Sequence, residues 1–288
     1  MRQEPFVQNE SRQSAKEPSL FLLSPWLSRD SRLTAGFSGR EGGVSSAPWD
    51  SLNIGLHVGD AADAVIANRK RLTDKIGWPF EAWTCAEQVH GNRVAQITAD
   101  ERGRGREALS DAINDCDAIM TNVPGVLLAS FYADCVPLYF YAPSSGAVAL
   151  AHAGWRGTVK KIAEETVQAM KQAYGTEPEE LLAAIGPSIG SCCYEVDGAV
   201  ITEVDRVLSE LRLEEADKNA CMRLKSNGKA DLNLKEINRQ IMIKAGILPS
   251  RIELTNWCTG CRTDLFFSHR TEGGRTGRMA SWIGIRER

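Results

Sequence analysis

Two imidazoles and a thiol stand where apolar runs of this chain stop. Leu127 to Ala133 and Val136 to Ala142 meet at Asp134-Cys135, and a third run, Ala147 to Ala151, ends at His152 before turning through Gly154-Trp155-Arg156-Gly157. Upstream, Gln88-Val89-His90-Gly91 places a second imidazole in a short polar break. Thiolate and imidazole are ordinary zinc ligands, and three protein ligands leave one tetrahedral position open, as catalytic zinc sites do. His90, Cys135 and His152 are therefore candidate metal ligands. The same residues admit a metal-free reading, with Cys135 as nucleophile and His152 or His90 as its base. A zinc-bound thiolate is a poor free nucleophile, so these readings exclude each other at one sulfur. A plainer one makes the cysteine a small buried hydrophobe and the histidines hydrogen-bonded loop residues. Against it, all four histidines (His57, His90, His152, His269) fall in glycine-rich or polar segments.

Strands must hold these residues, because α/β proteins build their sites at strand ends. The apolar runs predict strands over 127–133, 136–142 and 147–151, with further ones at 20–23, 33–37, 83–87, 94–97, 181–185 and 279–285. Helical spacing predicts helices over 61–76, 158–174, 200–211 and 234–245, the last with Asp231 as a possible cap. Residues 100–115 and 214–229 lack periodicity and read as a solvated loop and an exposed excursion. The neighbours 127–133 and 136–142 look like a hairpin, which argues against a purely parallel sheet. The fold expected is α/β, a single-domain layered α-β sandwich with mixed sheets over 19–288, after a polar, disordered lead-in over 1–18.

Composition narrows the partners. With 288 residues and 43% hydrophobic content the chain can bury one large core. A net charge of −3 argues against sequence-independent nucleic-acid binding, which needs a basic surface. No apolar run approaches the ~18 residues of a membrane helix. The polar first residues lack an apolar stretch of signal-peptide length, so a cytoplasmic location is expected. The eight cysteines are scattered and read as reduced thiols. Cys258-Thr259-Gly260-Cys261 is a formal CxxC without a second one, and Cys192-Cys193 are adjacent. Such a pair can be redox-active, half a zinc site or a chance spacing; Cys258 and Cys261 are expected to be dispensable for the chemistry.

The run ADCVPLYFYAP followed by VALAHAGWRG, with QVHG before and NWCTG, FFSHR and TGRMASWIGI after, resembles the YfiH/YlmD family. GFSGREGGVS, SLNIGLHVGD and IGPSIGSCCYEV extend the resemblance from about Ser19 to the end. It implies the α-β sandwich shared with the catalytic domain of cytotoxic necrotizing factor. It also implies purine nucleoside phosphorolysis (adenosine, inosine, guanosine, methylthioadenosine) and adenosine deamination, with nucleosides and phosphate as partners and no nucleic acid or membrane. Zinc is the metal expected and copper the alternative, since the family's other name is multicopper polyphenol oxidase. Laccase chemistry couples several coppers through many histidines, and this chain has four, two of them in the proposed site. The resemblance places Arg40, Asn53 and Gln88, with His57 beside them, at the substrate. Arg156, next to His152 at a helix start, is a reasonable phosphate clamp, and Asp134 is the second candidate catalytic residue. A monomer is expected.

Overall fold

The central strands show no alternation of burial. Leu127–Tyr132, Val136–Ala142 and Ala147–Ala153 are buried at every position, so both faces of each sheet must be covered. The computed structural model, which describes residues 3–9 and 17–287, covers them in four layers. One mixed sheet runs in the order Phe6–Gln8, Leu20–Leu23, Leu33–Ser38, Met279–Ile285, Leu127–Tyr132, Trp83–Cys85. The other runs Ile252–Leu254, Leu182–Ile185, Val136–Ala142, Ala147–Ala153, Ala118–Thr121, Val94–Gln96. A three-stranded sheet of Glu195–Val196, Ala230–Leu232 and Met222–Leu224 sits apart.

Between the large sheets, Phe21, Phe37, Leu128 and Ile283 share a core with Tyr139, Tyr141, Val148 and Leu150. The Tyr139 hydroxyl crosses that core and donates to the Gly36 carbonyl at 2.8 Å, satisfying a buried polar group. Helix Ala62–Lys75 and Trp78 cover the outer face of the first sheet. Helices Ile162–Tyr174 and Leu234–Lys244 cover that of the second. No helix among the described residues is long and apolar enough to cross a membrane.

Several expectations are corrected. The strands expected to form a hairpin, Leu127–Tyr132 and Val136–Ala142, belong to different sheets; the true hairpin partner of Val136–Ala142 is Ala147–Ala153. Asp134 makes the crossing with φ 87°, a left-handed conformation uncommon outside glycine. The helix expected over 158–174 starts at Trp155, breaks, and resumes at Ile162 after Lys161 at φ 57°. Asn233 rather than Asp231 caps Leu234–Lys244, its side chain accepting from the Glu236 amide. The stretch 214–229 contains helix Glu215–Cys221 and strand Met222–Leu224. In the 100–115 loop the arginines hold backbone: Arg102 donates to Gly125, Arg104 to Asp111 and Ala112, Arg106 to Gly103.

Part of the lead-in expected over 1–18 is a docked strand. Phe6 is buried with its ring 5.4 Å from that of Tyr139, and Glu4 accepts from Thr255 and from the Asn256 amide. Average polarity hid a single aromatic that fills the core. Residues 1–2 and 10–16 of that reading lie outside the described residues.

Candidate active site

The crossing at Asp134 delivers Cys135 to the mouth between the two sheets, where the end of Ala147–Ala153 supplies His152 and the loop after Trp83–Cys85 supplies His90. That loop is held in an unfavourable shape, with Gln88 and His90 at φ 61° and 60°. Two devices hold it there. The Gln88 side-chain amide donates to the Phe131 carbonyl at 2.9 Å and accepts from its amide at 2.8 Å, imitating the next rung of a strand ladder. The buried carboxylate of Asp117 accepts from the amides of Val89, His90 and Gly91 at 3.1, 2.9 and 2.6 Å.

Asp117 also meets His152 Nδ1 at 2.8 Å, which leaves Nε2 as the free ring nitrogen. Burial alone would lower the His152 pKa, but the Cys135 charge and the Asp117 hydrogen bond raise it to about 9. Burial likewise opposes ionisation of Cys135, while the charge and hydrogen bonds of His152 and His90 bring its thiol down to about 6. Without a metal, the pair is a thiolate beside an imidazolium. Gly154 closes the back of the group. A Cβ there would lie 3.0 Å from Cys135 Sγ and 3.2 Å from His90 Cδ2, so it is the space, not the backbone conformation, that requires glycine.

The donor atoms of His90, Cys135 and His152 lie within 4.8 Å of one another. Around a tetrahedral zinc with bonds of about 2.0 to 2.3 Å, neighbouring donors sit roughly 3.5 Å apart, so a small closure of the side chains makes one ion fit. Thiolate with two imidazoles suits zinc and also copper. Among the described residues the other such group consists of four cysteines.

Two cavities meet at this group and share His90, Ala133, Cys135 and His269. The larger, of about 720 Å³, is lined by His57, Gln88, Phe131 and Arg278 and by His152, so all four histidines of the chain line it. His57 is held neutral, its pKa lowered to about 4 by burial and then by the charges of Arg278 and Arg69. The smaller, of about 240 Å³, is lined by Gly154, Trp155, Arg156, Tyr194 and Arg270. Arg156 is exposed, stacks over Trp155 at 4.6 Å and has no ion pair among the described residues. Arg156 does lie at a helix start, in the five-residue helix Trp155–Val159, which is separate from Ile162–Tyr174.

The remaining candidates are fully engaged in structure. Asp134 accepts from Thr259, Ser268 and the Arg270 amide at 2.7, 2.8 and 2.7 Å, which anchors the loop that carries Arg270. Arg40 lies outside the lining of both cavities; it donates to Thr263, pairs with Glu272 at 2.9 Å and covers the Phe267 ring. Asn53 is buried, bonded to Asp60, Gly55 and the Arg278 amide, and also lies outside both linings. Sequence reasoning missed Asp117, Arg270 and Arg278. Only Asp117 left a signal, an acid immediately before the apolar run Ala118-Ile119-Met120.

Fold and site together define the class. Residues 34–286 match the family described as multi-copper polyphenol oxidoreductase laccase, and the chain belongs to that family, the one its motifs resemble. It is 44% identical over 254 residues to purine nucleoside phosphorylase YlmD of Geobacillus stearothermophilus, covering 88% of this chain and 90% of the relative. With the protein of that name from Bacillus subtilis it shares 38% over 277 residues, 95% and 97% of the two chains. The crystal structure of YlmD from Geobacillus stearothermophilus superposes with a TM-score of 0.90 at 40% identity, covering 99% of this chain and 100% of that one. That of the Bacillus licheniformis hypothetical protein YfiH gives 0.89 at 38%, covering 97% and 99%.

Proposed function

We propose that this chain is a zinc-dependent purine nucleoside enzyme that cleaves adenosine, inosine, guanosine and methylthioadenosine with phosphate and also deaminates adenosine. The observation that carries the reading is the pair of cavities joined at His90 and Cys135, one with room for a nucleoside and one with two arginines. Phosphorolysis must bring phosphate against ribose C1′, and a two-lobed cleft does so if each lobe takes one reactant. The larger lobe falls in the ordinary size range of small-molecule sites, and Phe131, buried beneath the Arg69 guanidinium, contributes an apolar edge to its lining. In the smaller lobe Arg156 is available for a bidentate phosphate contact. Arg270 lines the same lobe, stacked over Tyr194 with its Nη1 donating to the Glu195 carbonyl. Asp134 and Gln88 position the walls. Arg40 and Asn53 brace the loops behind them. When bound, zinc supplies a Lewis acid with one open position, the chemistry that water attack at purine C6 needs. His152 is held by Asp117 in one ring orientation. The names of the phosphorylase relatives support this reading over polyphenol oxidation, which needs several coppers held largely by histidine, whereas the second donor group here is all thiol. The enzyme is taken as a cytoplasmic monomer acting on small molecules.

Arg156→Ala tests the assignment of the lobes. Phosphorolysis kcat/KM is expected to fall at least ~10-fold, about 1.4 kcal/mol, with a raised phosphate KM, while deamination, which needs no phosphate, is affected less. An unchanged phosphate KM, or equal loss of both reactions, would return Arg156 to a structural role.

A further inference from the structure

The CxxC that looked isolated in the sequence is not isolated in space. The chain brings Cys192 and Cys193, on the loop after strand Leu182–Ile185, against Cys258 and Cys261, on the loop after Ile252–Leu254, and the four sulfurs lie within 4.8 Å of one another. We infer that these four cysteines form a second metal site, a tetrathiolate zinc centre separate from the His90–Cys135–His152 group.

Three observations carry this. First, Cys261 lies 3.4 Å from both Cys192 and Cys193, and Cys192 lies 3.6 Å from Cys258, with all four thiols free. Sulfurs bonded to one tetrahedral zinc at about 2.3 Å are roughly 3.8 Å apart, so the cluster is near the dimensions of a filled site, while a disulfide joins sulfurs only in pairs at about 2.05 Å. Second, the surroundings of Cys258 suit a thiolate. The Gly190 amide donates to Cys258 Sγ at 3.1 Å. Lys235, only 7% exposed, places its ammonium on the Thr255 and Trp257 carbonyls of the strand and loop leading to Cys258. Four thiolates on a divalent ion leave a net charge of −2, which a buried cation offsets. Third, the knuckle has no spare room. A Cβ on Gly260 would come 2.8 Å from Cys193 Cβ, and one on Gly190 would come 3.2 Å from Cys192 Sγ.

The location gives such a site a purpose. The Ile189 amide donates to the Asp134 carbonyl, and Thr259, between the two CxxC sulfurs, donates to the Asp134 carboxylate that also holds Ser268 and Arg270. Zinc at the cluster would clamp the two loops that form the outer wall of the smaller cavity. The expectation that Cys258 and Cys261 take no part in the chemistry stands beside this: they act on the wall, not on a reactant.

The test is metal content of protein purified anaerobically without chelators and given zinc before desalting. The intact chain should hold two zinc ions. Cys135→Ala should hold one and, reloaded with cobalt, show the intense visible bands and sulfur-to-cobalt charge transfer of a four-sulfur tetrahedral site. Cys261→Ser should also hold one, bound by the other group, and should melt at a lower temperature than the intact chain. If Cys261→Ser does not fold, the Cys135→Ala measurements decide alone. A metal-free Cys135→Ala protein, or a Cys192–Cys261 or Cys193–Cys261 disulfide in the anaerobic preparation, overturns the assignment.

Discussion

The carboxylate of Asp117 reaches four groups at once, three amides of the His90 loop and the imidazole of His152. An acid that orients a ligating histidine is typically worth 10–100-fold in metal affinity. Asp117→Asn should weaken zinc at the His90–Cys135–His152 group by that range, measured by competition with a chromogenic chelator; unchanged affinity would show that His152 needs no such support. The thiol gives a second check. Because its pKa is depressed, the Cys135 thiolate of metal-stripped protein persists down to about pH 6, so alkylation by iodoacetamide should rise with a midpoint there, and a midpoint near the ordinary ~8.5 would remove the ion pair with His152. A reactive thiolate is also what a metal-free cysteine hydrolase would need, so zinc's protection of Cys135 against alkylation, set beside turnover, separates the two chemistries. The donors were legible because cysteine and histidine at strand ends are rare enough to notice. Asp117 was not, since an acid in a turn is ordinary until folding brings two loops to it. The bracing contacts of Arg40 and Asn53 were not legible either: a cation or amide among glycines has the same sequence pattern whether it meets a substrate or buttresses a loop.

Among elements, strand positions were largely readable and their partnerships were not. Met279–Ile285 and Val136–Ala142 have the predicted bounds. Yet Leu127–Tyr132 and Val136–Ala142 are buried on both faces, so no alternation of polar and apolar residues marks which sheet each joins. The two-residue gap suggested a hairpin, and the positive φ of Asp134 sends the chain across instead. The first strand escaped notice because it is three residues long, with Phe6 its one buried member, in a stretch that is polar on average. Phe6→Ala should therefore destabilise the fold by about 3–5 kcal/mol, as other buried phenylalanines do. Urea denaturation with an unchanged slope would show it, and a loss below ~1 kcal/mol would mean that the strand does not dock.

For the molecule as a whole, the mixed α/β character followed from the alternation of apolar runs and helical periodicities, but the stacking of four layers required knowing which face each strand shares. That stacking also concentrates one residue type. Every histidine of the chain lines the larger cavity, so the imidazole region of a nuclear magnetic resonance spectrum is a spectrum of the site, free of background from elsewhere. In metal-stripped protein two of the rings should titrate far apart, His57 staying neutral down to about pH 4 and His152 staying charged up to about pH 9. Zinc should then silence the titration of His152 and leave that of His57. Histidine labelling alone would follow metal, nucleoside and proton in one experiment.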